Sequence, residues 1–189
     1  MTAPKQAQAP VGVNHIVLNV RNIEVSDKFW TEIIGFKCVA DLKAAPGRRG
    51  RMKFYSGVGP DGDVSHHHVA LMEILDGDKA PEPDSWSLGG RRVGVNHVAI
   101  AYPDRETWLK QIEFMQSKGV PFLRRINHGM THSVYIADPD NHGIEVLYEL
   151  PREVWEGDIQ GAQEHAEILP TEGPDALIDK TENPLFVGR

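Results

Sequence analysis

The sequence predicts an α+β fold: two paired βαβββ modules, residues 12–75 and 93–150, within a domain spanning 11–150, followed by an acidic carboxy-terminal extension over 151–189. Three observations carry this reading. Gly12-Val13-Asn14-His15-Ile16-Val17-Leu18 returns 82 residues later as Gly94-Val95-Asn96-His97-Val98-Ala99-Ile100. An apolar pattern of helical period, closed by a glycine, follows each copy. Three short strand-like runs then complete each half.

Each heptapeptide is rich in β-branched residues and alternates, so each reads as a strand with its histidine near the start. Val25, Phe29, Trp30, Ile33 and Ile34 fall at helical spacing and predict a helix over 23–34 that stops at Gly35. In the second half Trp108, Ile112, Phe114 and Met115 precede Gly119 in the same way. Strands are expected at 36–43, 51–56 and 66–74, and again at 121–125, 133–137 and 143–150. Asp138-Pro139-Asp140-Asn141 marks the turn before the last of them. Between the modules, 75–92 carries Pro81, Pro83 and Gly89-Gly90 and reads as a loop. The extension contains Pro170, Pro174 and Pro184 but also Val154, Trp155, Ile168, Leu177, Ile178, Leu185 and Phe186. A purely solvated tail would hold fewer large apolar groups, so part of it is expected to pack on the body or on a second subunit.

Composition narrows the function classes. With 40% hydrophobic and 25% charged residues, the 189-residue chain has a globular balance. No apolar run approaches the ~18 residues of a membrane span. The stretch from Met1 to Pro10 is polar and lacks the apolar core of a secretory signal, so a cytoplasmic protein without a membrane partner is expected. Cys38 stands alone, which excludes an internal disulfide and a thiolate metal cluster. The net charge of −7 is concentrated in the extension, where nine acids face three bases. The body is nearly neutral and has no basic stripe to neutralise phosphates, so a small molecule is a better ligand than nucleic acid.

Eight of the nine histidines lie in the two modules: His15, His66, His67, His68, His97, His128, His132 and His142. Pairing of the modules would bring the starts of their first strands together, so His15 and His97 converge if both face a shared interior. Glu145 supplies a carboxylate within Gly143-Ile144-Glu145-Val146-Leu147, an apolar strand where metal coordination offsets the burial of its charge. Two imidazoles and one carboxylate, with positions left open, suit iron(II) enzymes that handle dioxygen, and Mn(II) accepts the same donors. Proton transfer falls to His67, since an imidazole titrates near ~6.5. A shift of one residue in register would give that role to His66 or His68.

These motifs carry a resemblance. From about Val13 to Leu150 the chain resembles the vicinal oxygen chelate (glyoxalase/bleomycin resistance/dioxygenase) superfamily and, within it, the one-domain type I extradiol ring-cleavage dioxygenases. Asn14-His15 with Phe29-Trp30-Thr31-Glu32-Ile33-Ile34-Gly35-Phe36 is similar to the family's first ligand strand and following helix, and Asn96-His97-Val98-Ala99 to its second ligand strand. The block from Tyr135 to Val146 implies Glu145 as third ligand and Tyr135 as the tyrosine that hydrogen-bonds substrate or intermediate. His67-His68-Val69-Ala70-Leu71 implies His67 as acid and base. His128-Gly129-Met130-Thr131-His132 implies His128 as a substrate-positioning histidine, with His132 in competition because the interval to Tyr135 is two residues shorter than in two-domain members. The resemblance implies Fe(II)-dependent meta cleavage of a small aromatic diol such as catechol or 2,3-dihydroxybiphenyl by dioxygen, in a homo-oligomer. Two alternatives stand beside it: a non-oxidative glyoxalase-like isomerase or epimerase, and a metal-free ligand-binding protein. The isomerases generally take an additional carboxylate or amide ligand, for which Glu73 is the available acid.

Overall fold

The computed structural model describes residues 10, 12–43, 50–90, 93–179 and 186. The polar stretch before Pro10, Arg91 and Arg92 at the end of the connecting loop, and Pro184 and Leu185 lie outside them. The chain divides into two compact units, 1–80 and 81–189, and each carries one βαβββ-like module.

In the first unit, β1 (Ile16–Val20), α1 (Ile23–Lys28), β2 (Lys37–Leu42), β3 (Met52–Ser56) and β4 (Val69–Glu73) build a four-stranded sheet of order β1-β4-β3-β2. β1 runs parallel to β4, and the other neighbours are antiparallel. Asn22 caps α1 by accepting hydrogen bonds from the Glu24 and Val25 amides. The helix expected over 23–34 does not stay α-helical. From Phe29 to Ile33 it widens into a π-helical turn, with the Ile34 N–H donating to the Phe29 carbonyl. The wider turn seats both Phe29 and Trp30 in the core. A second expectation also shifts: His66, His67 and His68 precede β4, which begins at Val69, and of the three His68 continues the ladder, its N–H donating to the Tyr55 carbonyl at 2.8 Å.

In the second unit, β5 (His97–Ala101), α2 (Arg105–Ser117), β6 (Arg124–Asn127), β7 (Thr131–Ala137) and β8 (Gly143–Glu149) repeat the pattern, and β9 (Glu167–Ile168) adds an edge. The order is β5-β8-β7-β6-β9. β6 begins at Arg124, later than expected, because Pro121 has no N–H to offer a ladder. Asp104 caps α2 through the Thr107 amide, and Trp108, Ile112 and Met115 bury one helix stripe against the sheet. The Trp108 indole also donates to the Val146 carbonyl at 3.0 Å. Among the described residues no helix is long and apolar enough to cross a membrane.

Strand alternation divides the labour of this sheet. In β7 and β8, His132, Val134, Ile136, Ile144, Val146 and Tyr148 share the face that receives α2, and Ser133, Tyr135, Gly143, Glu145 and Leu147 share the opposite one. The helix face holds a polar knot. His132 Nδ1 and the Tyr148 hydroxyl each meet the Asp179 carboxylate at 2.7 Å, and Arg105 Nε meets it at 2.8 Å. The buried Arg125 guanidinium donates to the Asp175 and Ile178 carbonyls. The extension, with α3 (Arg152–Trp155) and α4 (Ile159–Glu164), thus packs on the second unit through its acids as well as its apolar groups.

Burial works against the charge of Asp179, but hydrogen bonds from His132, Tyr148 and Arg105 outweigh it and hold its pKa at about 2. A depressed carboxylate pKa contributes stability that is whole above the unfolded value, ~3.9, and is lost as pH falls toward the folded value. Asp179→Asn is therefore expected to lower stability at pH 7 by roughly 1.5–3 kcal/mol. Urea unfolding followed between pH 7 and pH 2 should show wild type converging on the variant only below about pH 4.

Candidate functional site

The site-facing side of the second sheet is set by register. Tyr135 and Glu145 are direct cross-strand partners, and His97, opposite Gly143 on β5, is diagonal to Glu145 on the same face. The side chains meet accordingly. His97 Nε2 lies 3.0 Å from Glu145 Oε2, and the Tyr135 hydroxyl donates to Glu145 Oε1 at 3.0 Å. His128 Nε2 lies 2.9 Å from the Tyr135 oxygen. Because Tyr135 spends its proton on Glu145, His128 is the donor in that bond, and the relay runs from His128 through Tyr135 to the carboxylate.

Glu145 is only 6% exposed. Desolvation favours its neutral form, but hydrogen bonds from His97, Ser133 and Tyr135 prevail and keep its pKa below the ordinary carboxylate value. Burial and the Glu145 charge push the Tyr135 phenol upward, so it stays a proton donor at neutral pH.

Asn96 decides what His97 presents. Asn96 Oδ1 lies 2.8 Å from His97 Nδ1, and its Nδ2 donates to the Leu88 carbonyl at 3.2 Å, which fixes the orientation of the amide. An amide oxygen only accepts, so His97 Nδ1 carries a proton, and Nε2 is the nitrogen turned to the carboxylate. The 3.0 Å approach is held by a proton on Nε2 donated to Glu145, a place that a metal cation can take. The pair therefore fits a divalent ion, with Asn96 in the outer position that sets the tautomer of a ligating imidazole. Asn14 repeats the device, its Oδ1 2.8 Å from His15 Nδ1. Neither asparagine was assigned a role from sequence, although both stand within the repeated heptapeptide.

In the first unit His15 and His67 have ring centroids 4.3 Å apart, and the Phe54 ring lies 5.0 Å from His67. His66 and His67 approach through their Nδ1 atoms at 2.7 Å. Desolvation, then electrostatic repulsion from the neighbouring His15 and His66, lowers the His67 pKa. His68 is engaged elsewhere, its Nδ1 accepting from the Gly57 amide at 3.2 Å. His132 is on the helix face with Asp179, away from Tyr135, and His142 bonds Asp138 within the turn. His128, and not its competitor His132, thus reaches the tyrosine.

The repeat shows what the first unit lacks. Ile16 pairs with Val69 and Val17 with Ala70, as Val98 pairs with Ile144 and Ala99 with Glu145. Ala70 therefore occupies the position that Glu145 fills in the second unit, and Phe54, opposite Ala70, stands where Tyr135 does. Glu73 is on the helix face, where its carboxylate accepts the Ile23 amide at 3.0 Å.

Trp86, in the loop before β5, also escaped sequence reading, since loop residues carry no periodicity. Its indole stacks on Tyr135 at 6.0 Å and 15°, and its N–H donates to the Asn96 carbonyl at 2.5 Å. Gly143 permits this, for a Cβ there would fall 2.0 Å from the indole nitrogen. Among the described residues no group of three His, Cys, Asp or Glu side chains is gathered closely enough to hold a metal. His97 and Glu145 are brought together; a third donor beside them is not.

The tautomers are directly measurable. Nitrogen-15 spectra at high pH should show the His97 proton on Nδ1 and the His128 proton on Nε2. Asn96→Ala should release the first preference and leave the second, and an Nε2–H form of His97 in wild type would contradict the assignment.

Comparison with known proteins agrees with this architecture. The family model for the Glyoxalase/Bleomycin resistance protein/Dioxygenase superfamily matches residues 12–146. A lactoylglutathione lyase from Pseudomonas putida is 28% identical over 158 residues, covering 77% of this chain and 89% of that protein. A catechol-2,3-dioxygenase from Bacillus subtilis is 26% identical over 155 residues, covering 79% of this chain, which spans only 45% of the dioxygenase. The crystal structure of a glyoxylase/bleomycin resistance protein/dioxygenase domain from Frankia sp. EAN1pec is similar with a TM-score of 0.55 at 20% identity, over 75% of this chain and 100% of that one. Repeat, sheet order and family match together place the chain in the Glyoxalase/Bleomycin resistance protein/Dioxygenase superfamily.

Proposed function

We propose that this chain is an Fe(II)-dependent extradiol dioxygenase that opens a catecholic ring beside its hydroxyls, with Mn(II) as the other metal its donors accept. His15, His97 and Glu145 are the metal donors, His67 the acid and base, and Tyr135 and His128 the hydrogen-bonding pair. The observation that carries this reading is Ala70 at the position equivalent to Glu145, with Glu73 turned to the opposite face. With the three proposed donors, the equivalent position of the first unit supplies no further carboxylate. A fuller donor set would leave less room for a chelating diol and dioxygen together.

When bound, the metal would hold both diol oxygens and relay electrons from ring to dioxygen. The chain's own groups do the rest. His67, with its pKa lowered, is neutral at physiological pH and accepts a proton from the second diol hydroxyl, which it later returns. Tyr135 keeps its proton and offers a hydrogen bond, and His128 holds the phenol in that orientation. Trp86 covers one face of Tyr135 and excludes water from it.

The comparisons by themselves give better support to a second reading, a non-oxidative metal-dependent isomerase or epimerase. The matched lyase is spanned almost entirely and the matched dioxygenase less than half. The two readings part on side chains, because an isomerase of this family generally needs the additional ligand that Ala70 does not supply. A metal-free binding protein is the third reading, in which a proton on His97 Nε2 alone bridges to the carboxylate.

Protein loaded anaerobically with Fe(II) and then given oxygen with catechol or 2,3-dihydroxybiphenyl is expected to form a yellow ring-opened product. His67→Gln should lower kcat by roughly 10²–10⁴-fold. Absence of product across a broad catechol panel, with iron content verified, would overturn the proposal. Oxygen-independent activity with Zn(II), Ni(II) or Co(II) would establish the second reading.

A further inference from the structure

The extension has so far only a packing role, yet it reaches the turn that carries His128 by two routes. The first is an edge strand. β9 pairs with β6, placing Glu167 opposite Asn127 and Ile168 opposite Ile126, and the Leu169 amide continues the ladder to the Arg125 carbonyl at 2.9 Å. Asn127 is fully buried. Its Nδ2 donates to Glu167 Oε2 at 3.2 Å, and its Oδ1 accepts from the Gly129 amide at 2.8 Å. The Glu167 carboxylate thus orients the Asn127 amide, and that amide holds the residue directly after His128.

The second route is an aromatic lid on the same turn. Gly129 has φ +77°, a conformation that L side chains rarely adopt, and a Cβ there would meet the Phe186 ring at 2.5 Å. Phe186 is itself anchored: its N–H donates to the Val154 carbonyl at 2.9 Å, and its ring lies edge-on to His165 at 5.8 Å. A short turn holding a left-handed glycine is a place where a chain opens locally unless it is tied down. Here one tie comes from beneath, through Asn127, and one from above.

We infer that the carboxy-terminal extension is the positioning device for His128, with Glu167 and Phe186 as the residues that set the 127–130 turn so that His128 Nε2 meets the Tyr135 hydroxyl. Its kinetic consequence rests on the dioxygenase reading; its structural consequence does not. Displacement of a hydrogen-bonding group by about 1 Å suffices to slow a reaction ~100-fold, so the extension acts on the chemical step without touching substrate.

Amide hydrogen exchange of the full-length, metal-free protein separates the two. Glu167→Ala and Phe186→Ala are expected to raise exchange in 127–130 by roughly tenfold or more, with the β7 and β8 amides unchanged. Glu167→Gln, which keeps an accepting oxygen, should restore most of the protection. In the Fe(II)-loaded protein the two alanine variants should lower kcat roughly tenfold with KM nearly constant, and Glu167→Gln should recover it. Unchanged exchange in both alanine variants would overturn the positioning role, as would a rise spread evenly over the whole sheet. If wild type opens no catechol, the dioxygenase reading fails alone, and exchange still decides the inference.

Discussion

One contact organises the second half of this molecule: an imidazole nitrogen and a carboxylate oxygen held 3.0 Å apart on one face of a sheet. Neither partner is free to turn away. Asn96 holds the far nitrogen of His97, and Tyr135 and Ser133 hold Glu145. The approach is imposed by the sheet register and by the neighbours that hold each partner. Such imposed proximity is what a cation site requires, because the donors need no reorganisation when the ion arrives.

The same sheet keeps structure and chemistry apart by the simplest rule available to a β-strand. Alternate residues of β7 and β8 feed a helix-covered core on one side and the His97–Glu145–Tyr135 group on the other. That division gives the two histidines beside the β6–β7 turn different work. His132 ties Asp179, and with it the extension, to the back of the sheet, and His128 reaches the front. The fold equivalence of the two units goes no further than the backbone: where one has Glu145 and Tyr135, the other has Ala70 and Phe54. At these paired positions the second unit has a carboxylate and the first has none.

Much of this was legible because its signals are local or repeated. The heptapeptide repeat announced two like modules, and the apolar spacing of Trp108, Ile112 and Met115 announced α2. Glu145 stood out as a charge in an apolar strand. Other features depend on contacts distant in sequence. The π-helical widening at Phe29 answers the space beneath the first sheet and leaves no mark on periodicity. Three consecutive histidines look like part of a strand, but β4 begins only after them, at Val69. Two-residue β9 is too short to show a period, and Trp86 lies in a loop whose conformation is set by Asn96 and Asn141. Neither Asp179 nor Glu167 differs in sequence from the surface acids around it.

The proposed dioxygenase chemistry requires one ion bound by His15, His97 and Glu145 together. Calorimetric titration of metal-free protein with Mn(II) tests that directly, since it needs neither substrate nor oxygen. One ion per chain is expected, with binding severely weakened in His15→Ala, His97→Ala and Glu145→Gln alike, and untouched in His142→Ala. Wild-type affinity in any one of the first three would remove that residue from the set and contradict the three-donor centre.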